Sequence, residues 1–166
     1  MTKKNENKTD KKASSKIRIR PLRPTDIEAI MRLHRELGWN PAFQSDGSTL
    51  RQRLAALITE ETALLLVAEI NGKVGGYIHG QTMIYLLFAG SEMMITEVFV
   101  REKFRDKGVG KALMIAMEAE AAKQKCFRIS VMNSRQRESY KRNFYPSQGY
   151  DERDQTAVFS KRLDWG

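Results

Sequence analysis

Apolar and polar positions alternate over residues 17–22, the period of a strand with one buried face. The period then changes. Ile27, Ile30, Met31, His34 and Leu37 recur at helical spacing, behind Pro24 and a Thr25/Glu28 pair that reads as a capping box. Gly38 stops that helix, and 38–47 reads as a loop carrying Trp39, Pro41 and Phe43. A second box, Thr49 with Gln52, opens a helix whose Leu50, Leu54, Leu57 and Ile58 share one face. An apolar strand is predicted over 63–70, with Asn71-Gly72 as a hairpin turn and 74–86 as the returning strand. Gly75, Gly76 and Gly80 mark a bend or a close approach in that partner.

The second half reads as a strand over 93–101, a helix over 108–125 and a strand over 127–132. A polar helix over 134–145 follows, then a last hairpin formed by 149–153 and 157–163. Hairpins early and a helical crossover later imply a mixed sheet. The strands at 93–101 and 127–132 should be parallel, joined by a right-handed crossover. Residues 1–16 have no such pattern and read as a disordered tail, leaving 17–166 as one domain.

Composition narrows the setting. With 166 residues and 41% hydrophobic content, the chain can bury a core. No apolar stretch approaches the roughly 20 residues of a membrane span, and no apolar run follows the basic N-terminus. Cys126 is the only cysteine, so no intrachain disulfide forms, and a cytoplasmic location is expected. A small buried residue is the expected role of Cys126. The net charge is +9, of which the tail supplies four through six lysines against Glu6 and Asp10. That surplus suits a polyanionic small ligand, an acidic surface or nucleic acid. No nucleic-acid recognition motif accompanies it, and the basic run over 135–142 reads as a solvated helix face.

The segment with most chemistry is Arg105-Asp106-Lys107-Gly108-Val109-Gly110-Lys111, between an apolar strand and a helix start. Glycines let backbone approach a ligand, and the first N–H groups of a helix favour an anion. Leu113 stands where a dinucleotide fingerprint needs its third glycine. Ala112 follows Gly110-Lys111 where the nucleoside triphosphatase loop needs Ser or Thr.

Val100, Phe104, Arg105, Gly108, Val109, Gly110, Leu113 and Met114 resemble the acetyl-coenzyme A motif of the GNAT N-acetyltransferases. Val74–Ile78 resembles the third strand of that family, and Phe144-Tyr145 with Gly149-Tyr150 resembles its late motif. The resemblance implies an α/β GNAT-like acyl-CoA N-acyltransferase fold. Its central mixed sheet would hold six to seven strands, flanked by about four helices. It also implies acetyl-CoA as cosubstrate, with no metal, an amine as acceptor, no nucleic acid or membrane partner, and a possible homodimer. The thioester arm would lie along Val98, Phe99 and Val100. The pyrophosphate would meet the backbone of Arg105, Asp106, Lys107, Gly108, Val109, Gly110 and Lys111. Asp106 stands where the family more often has glycine. The family's asparagine before the tyrosine has no direct counterpart, so Asn133, Glu138 and Asn143 are alternative cofactor contacts, with Asn133 the choice.

Acetyl transfer needs a neutral amine, hence a base. Glu97 is the candidate, expected on one strand face with Ile95 and Phe99, with Glu92 and His79 in reserve. Apolar neighbours would lift a carboxylate toward a useful range. His34 is expected to be a packed core residue. By resemblance Tyr145 is the acid that protonates the leaving thiolate, since a phenol keeps its proton at neutral pH. Trp39, Phe43, Tyr85 and Phe88 would wall the acceptor site, and Asp46 and Glu92 would attract a cationic amine. The segment Arg137-Glu138-Ser139 resembles small-molecule acetyltransferases, some of them aminoglycoside-modifying. The alternative is a non-catalytic acyl-CoA sensor or interaction module.

Overall fold

The computed structural model describes residues 16–37, 46–161 and 163. The chain divides into two compact units that meet between Val131 and Met132.

The first unit is a five-stranded sheet in the order β1-β2-β3-β4-β5. β1 is Ile17–Pro21, β2 Ala63–Ile70, β3 Lys73–Ile84, β4 Ser91–Val100 and β5 Cys126–Val131. The first three ladders are antiparallel, and β4 pairs with β5 in parallel. Between β2 and β3, Asn71 and Gly72 both have positive φ, at 50° and 75°, as a two-residue hairpin turn of this sequence requires.

Helices α1 (Ile27–Glu36) and α2 (Gly47–Leu57) pack their Ile30, Leu33 and Leu54 with Leu65, Val67 and Tyr77 of the sheet. Helix α3 (Val109–Lys123) lies on the opposite face. Gly80 of β3 approaches Met117 of α3, whereas Tyr77, of opposite parity on the same strand, stacks with His34 of α1.

Both helix starts are built differently from the capping boxes at Thr25 and Thr49. A 3-10 turn over Pro24–Asp26 precedes α1, and the Asp26 carboxylate accepts from the Arg23 N–H at 2.8 Å. Arg20 then grips Asp26 at 2.6 and 2.9 Å and Glu69 at 2.9 Å, tying β1, the turn and β2 together. Burial opposes the charge on Asp26, but Arg20 and Arg23 outweigh it and hold the carboxyl below the usual range. At α2 the cap is Asp46, whose carboxylate accepts from the N–H groups of Ser48 and Thr49 at 2.8 and 3.0 Å. An aspartate one turn upstream outcompetes threonine because its charge also meets the helix dipole.

The second unit carries α4, Glu138–Lys141, and a 3-10 turn over Pro146–Gln148. The helix expected to run to Tyr145 stops early because Asn143 turns left-handed at φ 53°, with Pro146 close behind. The last hairpin is not formed among the described residues, so the sheet has five strands rather than six to seven. Glu152 is instead held by Arg135 at 2.6 Å and by the Tyr140 hydroxyl at 2.8 Å. Val158 and Phe159 stay exposed.

Candidate functional site

β4 changes character along its length. From Ser91 to Ile95 it pairs on both sides, with β3 and with β5. The β5 ladder ends at Ile95 with Val131, while the β3 ladder continues to Val100. Among the described residues the stretch from Glu97 to Val100 is therefore not paired with β5, leaving backbone donors and acceptors to be met from elsewhere. Gly76 makes the remaining pairing close: a Cβ there would stand 2.6 Å from the Phe99 carbonyl oxygen.

A bulge at Thr96 separates these two ends. Ile95 pairs with Gly80 but Glu97 pairs with His79, so Thr96 is the extra residue. Glu97 and Phe99 consequently share the α1 face with His79 and Tyr77. Ile95 lies on the α3 face, which corrects the expectation that Ile95 and Glu97 share one. The Thr96 hydroxyl meets His79 Nδ1 at 2.7 Å, and His79 Nε2 is buried without a hydrogen-bond partner among the described residues. Burial, partly offset by Glu97, lowers the imidazole of His79.

Glu97 is about two-fifths exposed, and its Oε2 accepts from the Tyr77 hydroxyl at 2.6 Å. Tyr77 is 1% exposed and meets His34 Nε2 at 2.8 Å. The flanks of Glu97 are thus polar rather than apolar. His34 has a hydrogen-bond partner and is not merely packed. Tyr77 is the residue that sequence reasoning missed; its parity with His79 on the returning strand was the available signal.

Beyond Val100 a 3-10 turn, Glu102–Phe104, leads to the basic loop. The Arg105 N–H donates to the Glu102 carbonyl at 3.0 Å, so it is already engaged, contrary to the expected role of that backbone group. Arg105 Nε reaches the Val100 carbonyl at 3.1 Å and fastens the end of β4. Lys107 Nζ donates to the Lys103 carbonyl at 2.7 Å. Asp106 has φ 57°, which explains why the position favours glycine and why a short acidic side chain is tolerated. Gly108 caps α3 at φ 79°. The first intrahelical bond there is Ala112 N–H to Gly108 O at 2.9 Å, leaving the N–H groups of Val109, Gly110 and Lys111 without helical acceptors.

The other residues fall elsewhere. Glu92 is fully buried, with both oxygens held by Arg128 at 2.9 and 2.6 Å and a further bond from Ser130. Arg128 above all holds its carboxyl down at about 2, which makes it a fixed anion. Tyr85, Phe88 and Glu92 belong to the β3–β4 hairpin, at the far end of a ten-residue strand from the basic loop, roughly 30 Å away. Trp39 and Phe43 lie outside the described residues. Cys126 is half-buried, its thiol raised by burial.

In the second unit, Asn133 Oδ1 accepts from Ser139 at 3.2 Å, and Asn133 Nδ2 is a buried donor without a partner among the described residues. Tyr145 is half-buried, with its ring edge-on to Phe144 and Tyr150. Burial raises its phenol, partly countered by Arg137 and Arg142, so it keeps its proton.

Among the described residues no helix is long and apolar enough to cross a membrane, and no three His, Cys, Asp or Glu side chains cluster as metal ligands.

A family model described as an acetyltransferase (GNAT) domain matches residues 61–152. No curated protein sequence matches the chain. Among solved structures, the aminoglycoside N-acetyltransferase AAC(6')-Iy in complex with CoA is similar, with a TM-score of 0.75 and 18% identity. That match covers 90% of this chain and 97% of the other. Glucosamine-6-phosphate N-acetyltransferase from Arabidopsis thaliana matches with a TM-score of 0.72 and 19% identity, over 90% of this chain and 99% of the other. A transcriptional regulator from Bacillus halodurans matches with a TM-score of 0.74 and 16% identity, over 89% of this chain and all of the other. At these identities the likeness is one of fold.

Proposed function

Because the chain belongs to the GNAT acetyltransferase family, we propose that it moves an acetyl group from acetyl-CoA to a primary amine of a small molecule. The observation that carries this reading is the open end of β4, where unpaired backbone, a free helix N-terminus and one available carboxylate occur together.

The donor set fits acetyl-CoA. Amides of a thioester arm would pair with the freed backbone of Val98, Phe99 and Val100. The pyrophosphate would take the N–H groups of Val109, Gly110 and Lys111, with positive charge from Arg105, Lys107 and Lys111. The unpartnered Asn133 Nδ2 supports a further donor role. Acetyl-CoA supplies an activated carbonyl. The amine nitrogen attacks that carbon, a C–N bond forms, and the C–S bond breaks. Glu97 takes the proton the amine loses, and Tyr145 gives one to the departing sulfur. The family match includes residues of both units, which supports treating 17–166 as one acetyltransferase domain. Structural neighbours that act on aminoglycosides and on an amino sugar phosphate support a small-molecule amine as the acceptor class.

Calorimetry with acetyl-CoA and with free CoA, on the wild type and on Gly108→Glu, tests the cofactor site. The reading expects micromolar binding to the wild type and its loss in the variant. A screen of aminoglycosides and amino sugars for thiol release then tests transfer. Absence of acetyl-CoA binding to the wild type sinks the proposal, and binding without turnover of any amine favours a sensor.

A further inference from the structure

Glu97 stands at the end of a chain of hydrogen bonds whose direction can be worked out. A tyrosine hydroxyl has one proton to give. At Tyr77 the 2.6 Å contact with the Glu97 carboxylate uses it. The 2.8 Å contact with His34 must then run the other way, with Nε2–H of His34 donating to the phenolic oxygen. The result is a donor train from His34 on α1, through Tyr77, to Oε2 of Glu97. The two rings are stacked, with centroids 5.7 Å apart and planes at 10°. Burial first, then the neighbouring Glu97, pushes the Tyr77 phenol well above its ordinary range, so it remains a donor. Oε1 of Glu97 takes no hydrogen bond among the described residues, and the side chain is partly open to solvent.

We propose that Tyr77 and His34 are positioning residues: they hold Glu97 as an oriented carboxylate through Oε2 and leave Oε1 to receive the amine proton. The proposal rests on the reading of Glu97 as the base. Neither residue touches the reacting atoms; each acts through the carboxylate. The other charged or titratable groups about it are His79, across the β3–β4 ladder, and the Glu36–Arg101 pair, which ties the end of α1 to the residue after β4 at 3.0 Å.

The test uses the full chain in its free form, so it needs no acceptor. The side-chain carboxyl resonance of Glu97 is followed by 13C NMR at one fixed pH in the wild type, Tyr77→Phe, His34→Leu and His34→Gln. Loss of the phenol donor should move that resonance in Tyr77→Phe. His34→Leu should move it less. His34→Gln, which can still donate to the phenol, should restore it. The chain has two histidines, so side-chain 15N shifts of the neutral rings read the tautomers directly. His34 should be the Nε2–H form and should change in Tyr77→Phe. An unmoved Glu97 resonance in Tyr77→Phe, or an Nδ1–H tautomer at His34, overturns the donor train. Thiol release by Glu97→Gln, assayed with acetyl-CoA and kanamycin or glucosamine, addresses the base separately. Full turnover in that variant overturns the base reading whatever the spectra show.

Discussion

β4 carries two carboxylates five residues apart, and they have opposite fates. Glu92 lies where the strand is paired on both sides, is wholly buried, and has both oxygens held by Arg128 and Ser130. Glu97 lies where β5 has departed. It is partly exposed and is held through one oxygen by a neutral phenol. The first carboxylate has no capacity left for chemistry, because its charge is neutralised and its lone pairs are occupied. The second keeps an oxygen available. What separates them is strand pairing, together with one extra residue at Thr96, which turns Glu97 and Phe99 toward α1.

The contrast can be broken from either end. Glu97→Gln should lower kcat by about 10²- to 10⁴-fold while leaving the melting temperature within a degree or two, since only one hydrogen bond to a half-exposed group changes. Steady-state thiol release and thermal unfolding check both halves. An equal loss in Tm would assign Glu97 a structural role.

Glu92→Gln should do the reverse. Glu92 is buried but the Arg128 side chain is about one-third exposed, so the loss is that of charge-assisted hydrogen bonds, about 1.5–3 kcal/mol. Urea unfolding should show that loss, with kcat per folded molecule changed little.

Acid sharpens the same contrast. The Glu92 carboxyl is depressed to about 2 from an ordinary value of 4.5. A group depressed in the folded state contributes stability above its unfolded value and loses it as pH falls through the folded one. The wild type should therefore lose on the order of 3 kcal/mol between pH 4.5 and 2, and Glu92→Gln should lose correspondingly less. Parallel urea curves at pH 6 and 3 measure the difference.

The smallest effect belongs to the loop that follows the open end. Gly108 has φ 79° and open space where a Cβ would sit, so Gly108→Ala meets strain but no clash. About 1 kcal/mol of stability should be lost, with acetyl-CoA affinity falling by less than tenfold. An unaltered stability would mean the loop relaxes out of the left-handed conformation.

Much of the fold was legible locally. Asn71-Gly72 specified a hairpin because both residues accept positive φ. The apolar runs specified β2 and β4, and Gly108 marked the start of α3. These features depend on a residue and its immediate neighbours. The C-terminal helix and hairpin were less legible. Asn143 adopts a left-handed turn, and Glu152 is captured by Arg135 and Tyr140, so a pattern of apolar residues there did not become a ladder.

By itself, then, the sequence determined the strand and helix periods, the tight turns, the glycine-cornered basic loop and the presence of carboxylates on β4. The tertiary structure decided which carboxylate is spent and which is available. It placed Arg128 on Glu92 from 36 residues away, and Tyr77 and His34 on Glu97 from 20 residues and from another helix. It also decided the facing of Glu97, because a bulge shifts parity only when two strands pair out of step. Partner identity and strand register arise between segments distant in the chain, and no local period encodes them.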